Sequence, residues 1–164
     1  MELPKRKGNR LKEYDYNSPG AYFITICTKD KKQILSNIAV GTGILDGPKI
    51  ILTEQGKIAD KYIKQLNDFY KNISVDNYCI MPNHIHILLQ VFENEKTTIT
   101  RDMQNSVVSK FVGTFKRFCN KEYGENVWQS RSYDHIVRGY QDYKEIYEYI
   151  NNNPTKWAEN NMRT

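Results

Sequence analysis

The chain has 164 residues, of which 39% are hydrophobic and 26% charged, a composition that fits one domain with its own hydrophobic core. Its 24 Lys+Arg against 19 Asp+Glu give a net charge of +5, which is modest support for a polyanionic partner. The widely spaced cysteines, Cys27, Cys79 and Cys119, exclude a disulfide scaffold or a zinc ribbon, and no apolar stretch reaches the length of a membrane span. We therefore expect a cytoplasmic protein with no membrane partner.

The first half of the chain predicts a strand, a hairpin and a helix. After a polar, basic arm over about residues 1–16, residues 21–28 are β-favouring and apolar on both sides, which is typical of a central strand. Two short apolar pieces within residues 34–51 surround an Asp-Gly turn and predict a hairpin insertion. Thr53 can then cap a helix that runs to about residue 72.

The second half predicts two strands, a helix, a strand and a last helix. The strands lie at about 74–81 and 84–92, and a polar loop over 93–105 leads to a helix capped by Ser106. A strand at 127–137 and a helix at about 140–153, stopped by Pro154, complete the chain. The order β-α-β-β-α-β indicates an α+β, ferredoxin-like split βαβ sandwich with an antiparallel sheet and an extra C-terminal helix, in one domain over 1–164.

Two of the three histidines stand one residue apart on a predicted central strand. Residues i and i+2 of a strand point to the same face, so His84 and His86 would project side by side while Ile85 faces the core. This pattern, histidine-hydrophobic-histidine or HUH, makes a two-point metal clamp on a rigid element. The alternative is two ordinary polar residues on the wet face of a half-buried strand, which is the commoner case for such a pair taken alone.

The second predicted helix carries a basic stripe on the side away from its apolar residues. The stripe runs at positions i, i+4, i+7 and i+11 and consists of Lys110, Thr114, Arg117 and Lys121. A solvated helix face and a phosphate-contacting face explain this stripe equally well.

The last helix contains a tyrosine that its apolar stripe does not account for. The stripe holds Tyr140, Tyr143, Ile146, Tyr147 and Ile150, and Tyr149 falls about 120° from its centre. Asn153 lies one turn further along the same flank. A phenol with an amide oxygen one turn away can serve as nucleophile and metal ligand, although the helix alone favours a surface tyrosine before a polar helix end.

Four segments together resemble a known family. They are MPNHIH at 81–86, VWQ at 127–129, SYDHIVR at 132–138 and YINNNP at 149–154. In this order and spacing they resemble the single-tyrosine HUH transposases, and most of all the REP-associated tyrosine transposases, relatives of the insertion-sequence enzymes of the IS-two-hundred type. The resemblance covers about residues 10–157.

The resemblance implies an activity and assigns roles to several residues. His84, His86 and Asn153 would hold a divalent metal, Mg²⁺ or Mn²⁺, and Tyr149 would attack a phosphodiester to give a 5′-phosphotyrosine. The substrate would be single-stranded DNA with hairpin-forming ends, in the bacterial nucleoid. Candidate phosphate contacts are Lys110, Arg117, Lys121, Arg131 and Arg138. His135 would orient DNA or be a structural residue, a reading that we prefer to metal ligation.

Three functions remain open from the sequence. The leading one is a metal-dependent single-strand DNA transposase or nickase, acting as a monomer or a homodimer, with Tyr149 used in its own subunit or across a dimer. The second is a non-catalytic or domesticated hairpin-binding protein on the same fold. The third is a hydrolase of another phosphodiester that uses water as the nucleophile.

Overall fold

The structure, a computed structural model, describes residues 18–41, 46–93 and 106–162. In these ranges it contains six strands and three α-helices: β1 (Gly20–Cys27), β2 (Ser36–Ala39), β3 (Lys49–Leu52), α1 (Glu54–Phe69), β4 (Ile73–Ile80), β5 (His84–Val91), α2 (Val107–Tyr123), β6 (Tyr133–Ile136) and α3 (Gly139–Met162). The predicted arm at 1–16 and nearly all of the predicted loop at 93–105 lie outside the described residues.

The main sheet is fully antiparallel, with the strand order β4-β5-β1-β6. Two crossover helices, α1 and α2, connect these strands, so the predicted ferredoxin-like α+β fold is confirmed. The predicted hairpin insertion is also confirmed, because β2 and β3 pair with each other in a separate two-stranded sheet. The histidine-bearing strand β5 is central, between β4 and β1.

The alternation of side chains along β5 divides the sheet into two faces with different partners. Ile85, Ile87 and Leu89 belong to the main core, which is formed with buried side chains of α1 and α2. Leu88 points the other way and packs in a smaller cluster with Ile146 and Ile150 of α3. His84 and His86, in step with Leu88, therefore lie on the face that α3 covers, which we call the α3 face.

Helices α1 and α2 begin where the sequence predicted. The Thr53 side chain accepts a hydrogen bond from the N–H of Gly56, and the Ser106 side chain accepts one from the N–H of Ser109. Helix α1 ends at Phe69, about three residues before the predicted end. Within the described ranges, no helix combines the length and the apolar character needed to cross a membrane.

Helix α3 continues past Pro154, so the prediction that it stops at residue 153 is wrong. Proline has no N–H to donate to the carbonyl of Ile150, and inside a helix it normally ends or kinks it. Here the turns beyond it gain tertiary contacts, since Ala158 is buried and Trp157 packs against the smaller cluster. These contacts offset the missing hydrogen bond and carry the helix to Met162.

The last strand is shorter than the predicted 127–137. Only Tyr133–Ile136 pairs as a strand with β1, and the segment before it makes an isolated bridge between Trp128 and Thr28. The Trp128 side chain is fully buried in the main core. Packing of this ring, rather than strand pairing, explains the apolar start of the segment.

The first turn of α1 packs so closely on the chain before it that only glycine fits at position 56. A Cβ added to Gly56 would lie 1.9 Å from the carbonyl oxygen of Leu35. We predict that Gly56→Ala lowers the free energy of unfolding by about 1–3 kcal/mol, because backbone rather than a flexible side chain must move. Urea denaturation measures this change.

Gly113 on α2 is the matched control, because a Cβ added there meets nothing within 4 Å. Gly113→Ala should raise the free energy of unfolding by up to about 1 kcal/mol through helix propensity. A Gly56→Ala protein that is as stable as Gly113→Ala would contradict the close packing of α1 on Leu35.

Candidate functional site

The two histidines of β5 turn their Nε2 atoms toward one another. The distance between Nε2 of His84 and Nε2 of His86 is 3.1 Å. Each opposite nitrogen is held in place: the Nδ1–H of His84 donates to Oδ1 of Asn83 at 2.6 Å, and Nδ1 of His86 lies 2.9 Å from the Thr25 hydroxyl. With Nδ1 protonated, the Nε2 atom of His84 presents a lone pair to the space between the rings.

The pair is not on a wet face, the alternative that the sequence left open, because α3 lies over it. His86 is only 5% exposed and His84 is half-buried. Burial, together with the smaller effect of the nearby His84, lowers the pKa of His86 to about 3. Burial also lowers the pKa of His84, against a raising effect of a hydrogen bond with Asn153. Both imidazoles are therefore neutral near pH 7, which is the form that binds a metal.

Tyr149 lies beside this pair. Its ring centroid is 5.4 Å from that of His86 and 6.1 Å from that of Phe23, with both pairs edge-on. The ring is 39% exposed, so it borders the histidines and also faces solvent. Tyr149 thus meets the histidines of its own chain.

The predicted apolar stripe of α3 is only partly correct. Ile146 and Ile150 are buried as predicted, but Tyr140 is 79% exposed and Tyr147 is as exposed as Tyr149. These two rings lie outside the narrow contact that α3 makes with the sheet. The feature that distinguishes Tyr149 from Tyr147 is therefore its neighbours and not its position relative to a stripe.

Asn153 lies close to the histidine pair. Its side chain is buried and shares a hydrogen bond with His84, one helical turn beyond Tyr149. The described residues contain no group of three or more His, Cys, Asp or Glu side chains that could hold a metal ion. Two imidazole nitrogens and one amide oxygen are the donors that this site could offer to a divalent cation.

A basic cleft of about 790 Å³ adjoins the α3 face at the end of β1. Cys27, which lines it, is the register partner of His84, and Lys31 is close enough to lower the pKa of His84. Its charged lining consists of three cations and one carboxylate, which belong to Lys29, Lys31, Arg131 and Asp30. Lys31 has a left-handed φ of 51°, a strained conformation for a lysine of the kind found at functional sites.

The structure does not bring the basic stripe of α2 to this site. Lys110, Arg117 and Lys121 are exposed on a helix that packs against the opposite face of the sheet. Arg131, in contrast, lines the basic cleft. The five candidate phosphate contacts therefore do not form one surface.

His135 lies in β6, where it is the register partner of Phe23, and Arg138 directly precedes α3. Nε2 of His135 is 2.9 Å from the Asp142 carboxylate, and the same carboxylate accepts the backbone N–H of Arg138. This geometry agrees with the structural reading of His135, which connects β6 to the first turn of α3. The Arg138 side chain is exposed.

Sequence reasoning missed several neighbours of the site. Thr25 and Phe23 follow the period-two pattern of β1, but only the register with β5 shows that they meet His86. Lys156 and Trp157 were missed because the helix was expected to end at Pro154. The Trp157 ring lies 6.1 Å from that of His84, and the Lys156 Nζ lies 4.9 Å from the Tyr149 ring.

Comparisons with known proteins give the family of this chain. Residues 17–153 match the family model described as "Transposase IS200 like". An uncharacterized protein of Haemophilus influenzae is 30% identical over 96% of this chain and 92% of its own length. A second protein of that organism, named "Putative REP-associated tyrosine transposase", is 27% identical over 87% of this chain and 74% of its own.

A solved structure shares the fold. The structure of a REP-associated tyrosine transposase bound to a REP hairpin superposes with a TM-score of 0.61 at 19% identity, over 95% of this chain and 74% of the other. At this identity the match supports the fold, while the family rests on the sequence match over residues 17–153. That match confirms the resemblance read from the four motifs, and the chain belongs to the IS200-like transposases.

Proposed function

We propose that this protein cleaves and rejoins single-stranded DNA at hairpin-forming ends, with Tyr149 as the nucleophile. The observation that carries the proposal is the placement of the Tyr149 ring 5.4 Å from His86, whose Nε2 faces that of His84 at 3.1 Å. A nucleophilic side chain beside a converging pair of neutral imidazoles is the arrangement that metal-assisted phosphoryl transfer needs.

The proposed chemistry is an exchange of one phosphodiester for another. The Tyr149 Oη attacks the scissile phosphorus and gives up its proton, a P–O bond to tyrosine forms, and the bond between phosphorus and the 3′-oxygen breaks. The departing 3′-oxygen takes up a proton and leaves as a 3′-hydroxyl. Because the 5′-phosphotyrosine keeps the energy of the broken bond, a 3′-hydroxyl of another strand reverses the reaction without a nucleotide cofactor.

His84, His86 and Asn153 are the residues that would hold the divalent metal. Thr25 and Asn83 fix the two rings from behind, and such outer contacts set the orientation and basicity of metal-binding histidines. Mg²⁺ or Mn²⁺ bound there would polarise the scissile phosphate as a Lewis acid.

We extend to this chain the class of DNA that its structural neighbour was solved with, a REP hairpin. The basic cleft next to His84 supports this choice, since its lysines and Arg131 supply positive charge at the mouth of the site. The contact of Tyr149 with its own chain's His86 supports cleavage by a single subunit.

Our first functional prediction is that Tyr149 alone forms a covalent bond with DNA. Tyr149→Phe removes only the phenolic oxygen, so metal and hairpin binding should persist while the adduct disappears. The assay is incubation with a labelled hairpin oligonucleotide and Mn²⁺, followed by a denaturing gel and peptide mapping.

Tyr147→Phe is the matched control, because Tyr147 is as exposed as Tyr149 and stands two residues away on the same helix. It should form the adduct at the wild-type rate. An adduct that survives in Tyr149→Phe would move the nucleophile elsewhere. Cleavage by wild-type protein without any adduct would favour the hydrolase, and hairpin binding without cleavage would favour the domesticated binding protein.

The second prediction concerns the metal. A variant with both His84→Ala and His86→Ala should show no Mn²⁺ binding by calorimetry, whereas Thr25→Val should weaken it by about 10-fold to 100-fold, because the ring of His86 is then no longer held by the Thr25 hydroxyl. Since His86 is buried, its truncation leaves a cavity, and thermal unfolding must be measured alongside. Equal Mn²⁺ affinity in the wild type and the double variant would exclude this site.

The third prediction separates the two basic surfaces. Neutralising Lys29, Lys31 and Arg131 to Gln should reduce the slope of log K against log salt for a single strand by about 0.7 for each phosphate that the protein no longer neutralises. The same change at Lys110, Arg117 and Lys121, which lie across the sheet from the histidines, should reduce it less. The reverse result would place the DNA on α2.

A further inference from the structure

The part of α3 beyond Pro154 brings a cation to the face of the nucleophile's ring. The Nζ of Lys156 lies 4.9 Å from the centroid of Tyr149. Both side chains are exposed, and Lys156 forms no ion pair with any described residue. The cation–π contact with Tyr149 is therefore the interaction that locates this ammonium group.

Helix geometry makes this contact a consequence of the unbroken helix. Seven residues separate Tyr149 from Lys156, which is about 20° short of two full turns. Side chains of a helix lean toward its N-terminus, so the long lysine arm reaches back along the helix to the tyrosine. A helix that ended at Pro154 would not bring Lys156 over this ring.

The other rings beside that of Tyr149 are those of Phe23 and His86. In the part of the chain that the structure describes, Lys156 is the charged group that contacts the Tyr149 ring. The attack of a phenolic oxygen on a phosphodiester accumulates negative charge on the phosphoryl oxygens, so a cation at this position acts where charge develops.

We infer that Lys156 is a positioning residue for the cleavage step: its ammonium group holds the Tyr149 ring in the attacking orientation and places positive charge beside the scissile phosphate. This inference rests on the proposed function and deepens it. The proposed step moves no proton through Lys156: the phenolic proton passes to water, and the departing 3′-oxygen takes up a proton from water. Its contribution is a fixed charge, which arginine can also supply and glutamine cannot.

The experiment compares Lys156→Gln and Lys156→Arg with the wild type under single turnover, with a labelled hairpin oligonucleotide and Mn²⁺. We expect Lys156→Gln to slow formation of the tyrosine adduct by about tenfold or more, while Lys156→Arg stays within about threefold of the wild type. Hairpin affinity in metal-free buffer and the thermal unfolding temperature should be those of the wild type in both variants.

Lys144→Gln is the matched control, since Lys144 is an exposed lysine on the same helix, away from Tyr149. It removes the same charge from the protein and should leave the adduct rate unchanged.

Four outcomes overturn the inference. In the first, Lys156→Gln forms the adduct at the normal rate. In the second and third, Lys156→Arg or Lys144→Gln slows the adduct as much as Lys156→Gln does. The fourth is a decrease in the rate of Lys156→Gln that only follows a decrease in its hairpin affinity or stability. Wild-type protein that forms no adduct overturns the proposed function itself, and the role of Lys156 with it.

Discussion

The candidate site depends on one contact, the docking of α3 on the sheet face that carries the histidines. Ile146 and Ile150 pack there against Leu88 and its neighbours, and burial of an isoleucine contributes about 1.5–3 kcal/mol before the entropy of ordering is counted. The same contact covers His86, keeps it neutral, and sets Tyr149 and Asn153 beside the pair. One small apolar cluster thus determines the protonation state of the histidines and the position of Tyr149.

Much of the fold could be predicted from the sequence, because its signals are local. The caps at Thr53 and Ser106, the hairpin insertion and the order of strands and helices follow from periodicity and turn residues, and the structure agrees with them. The end of α3 could not be predicted in this way. The rule that proline stops a helix is local, whereas the contacts of Trp157 and Ala158 that override it are tertiary.

The candidate site also contains some relations that the local sequence shows and others that depend on tertiary structure. His84 and His86 share a face because they stand two apart on one strand, and Asn153 follows Tyr149 by one turn, so these relations were visible in the sequence. The partnership of Thr25 with His86 spans 61 residues and depends on the register between β1 and β5, which no local pattern encodes. The basic stripe on α2 is a different case. Both crossover helices of this fold lie on the face of Ile85, so the topology places the stripe across the sheet from the histidines.

The two faces of the sheet differ in what they support. One face holds the main core, and the other holds the candidate site under α3. The main core joins β1, β4 and β5 to α1 and α2 and contains the largest buried rings, including Trp128, Phe111 and Phe115. The cluster under α3 is smaller, and its helix lacks one backbone hydrogen bond at Pro154. Packing in the main core therefore bears on the whole domain, whereas packing at Ile146 and Ile150 bears on the position of Tyr149 relative to the histidines. The residue that we propose as the nucleophile thus lies on a helix that packs in the smaller cluster, and the pair that would hold the metal lies on a central strand of the sheet.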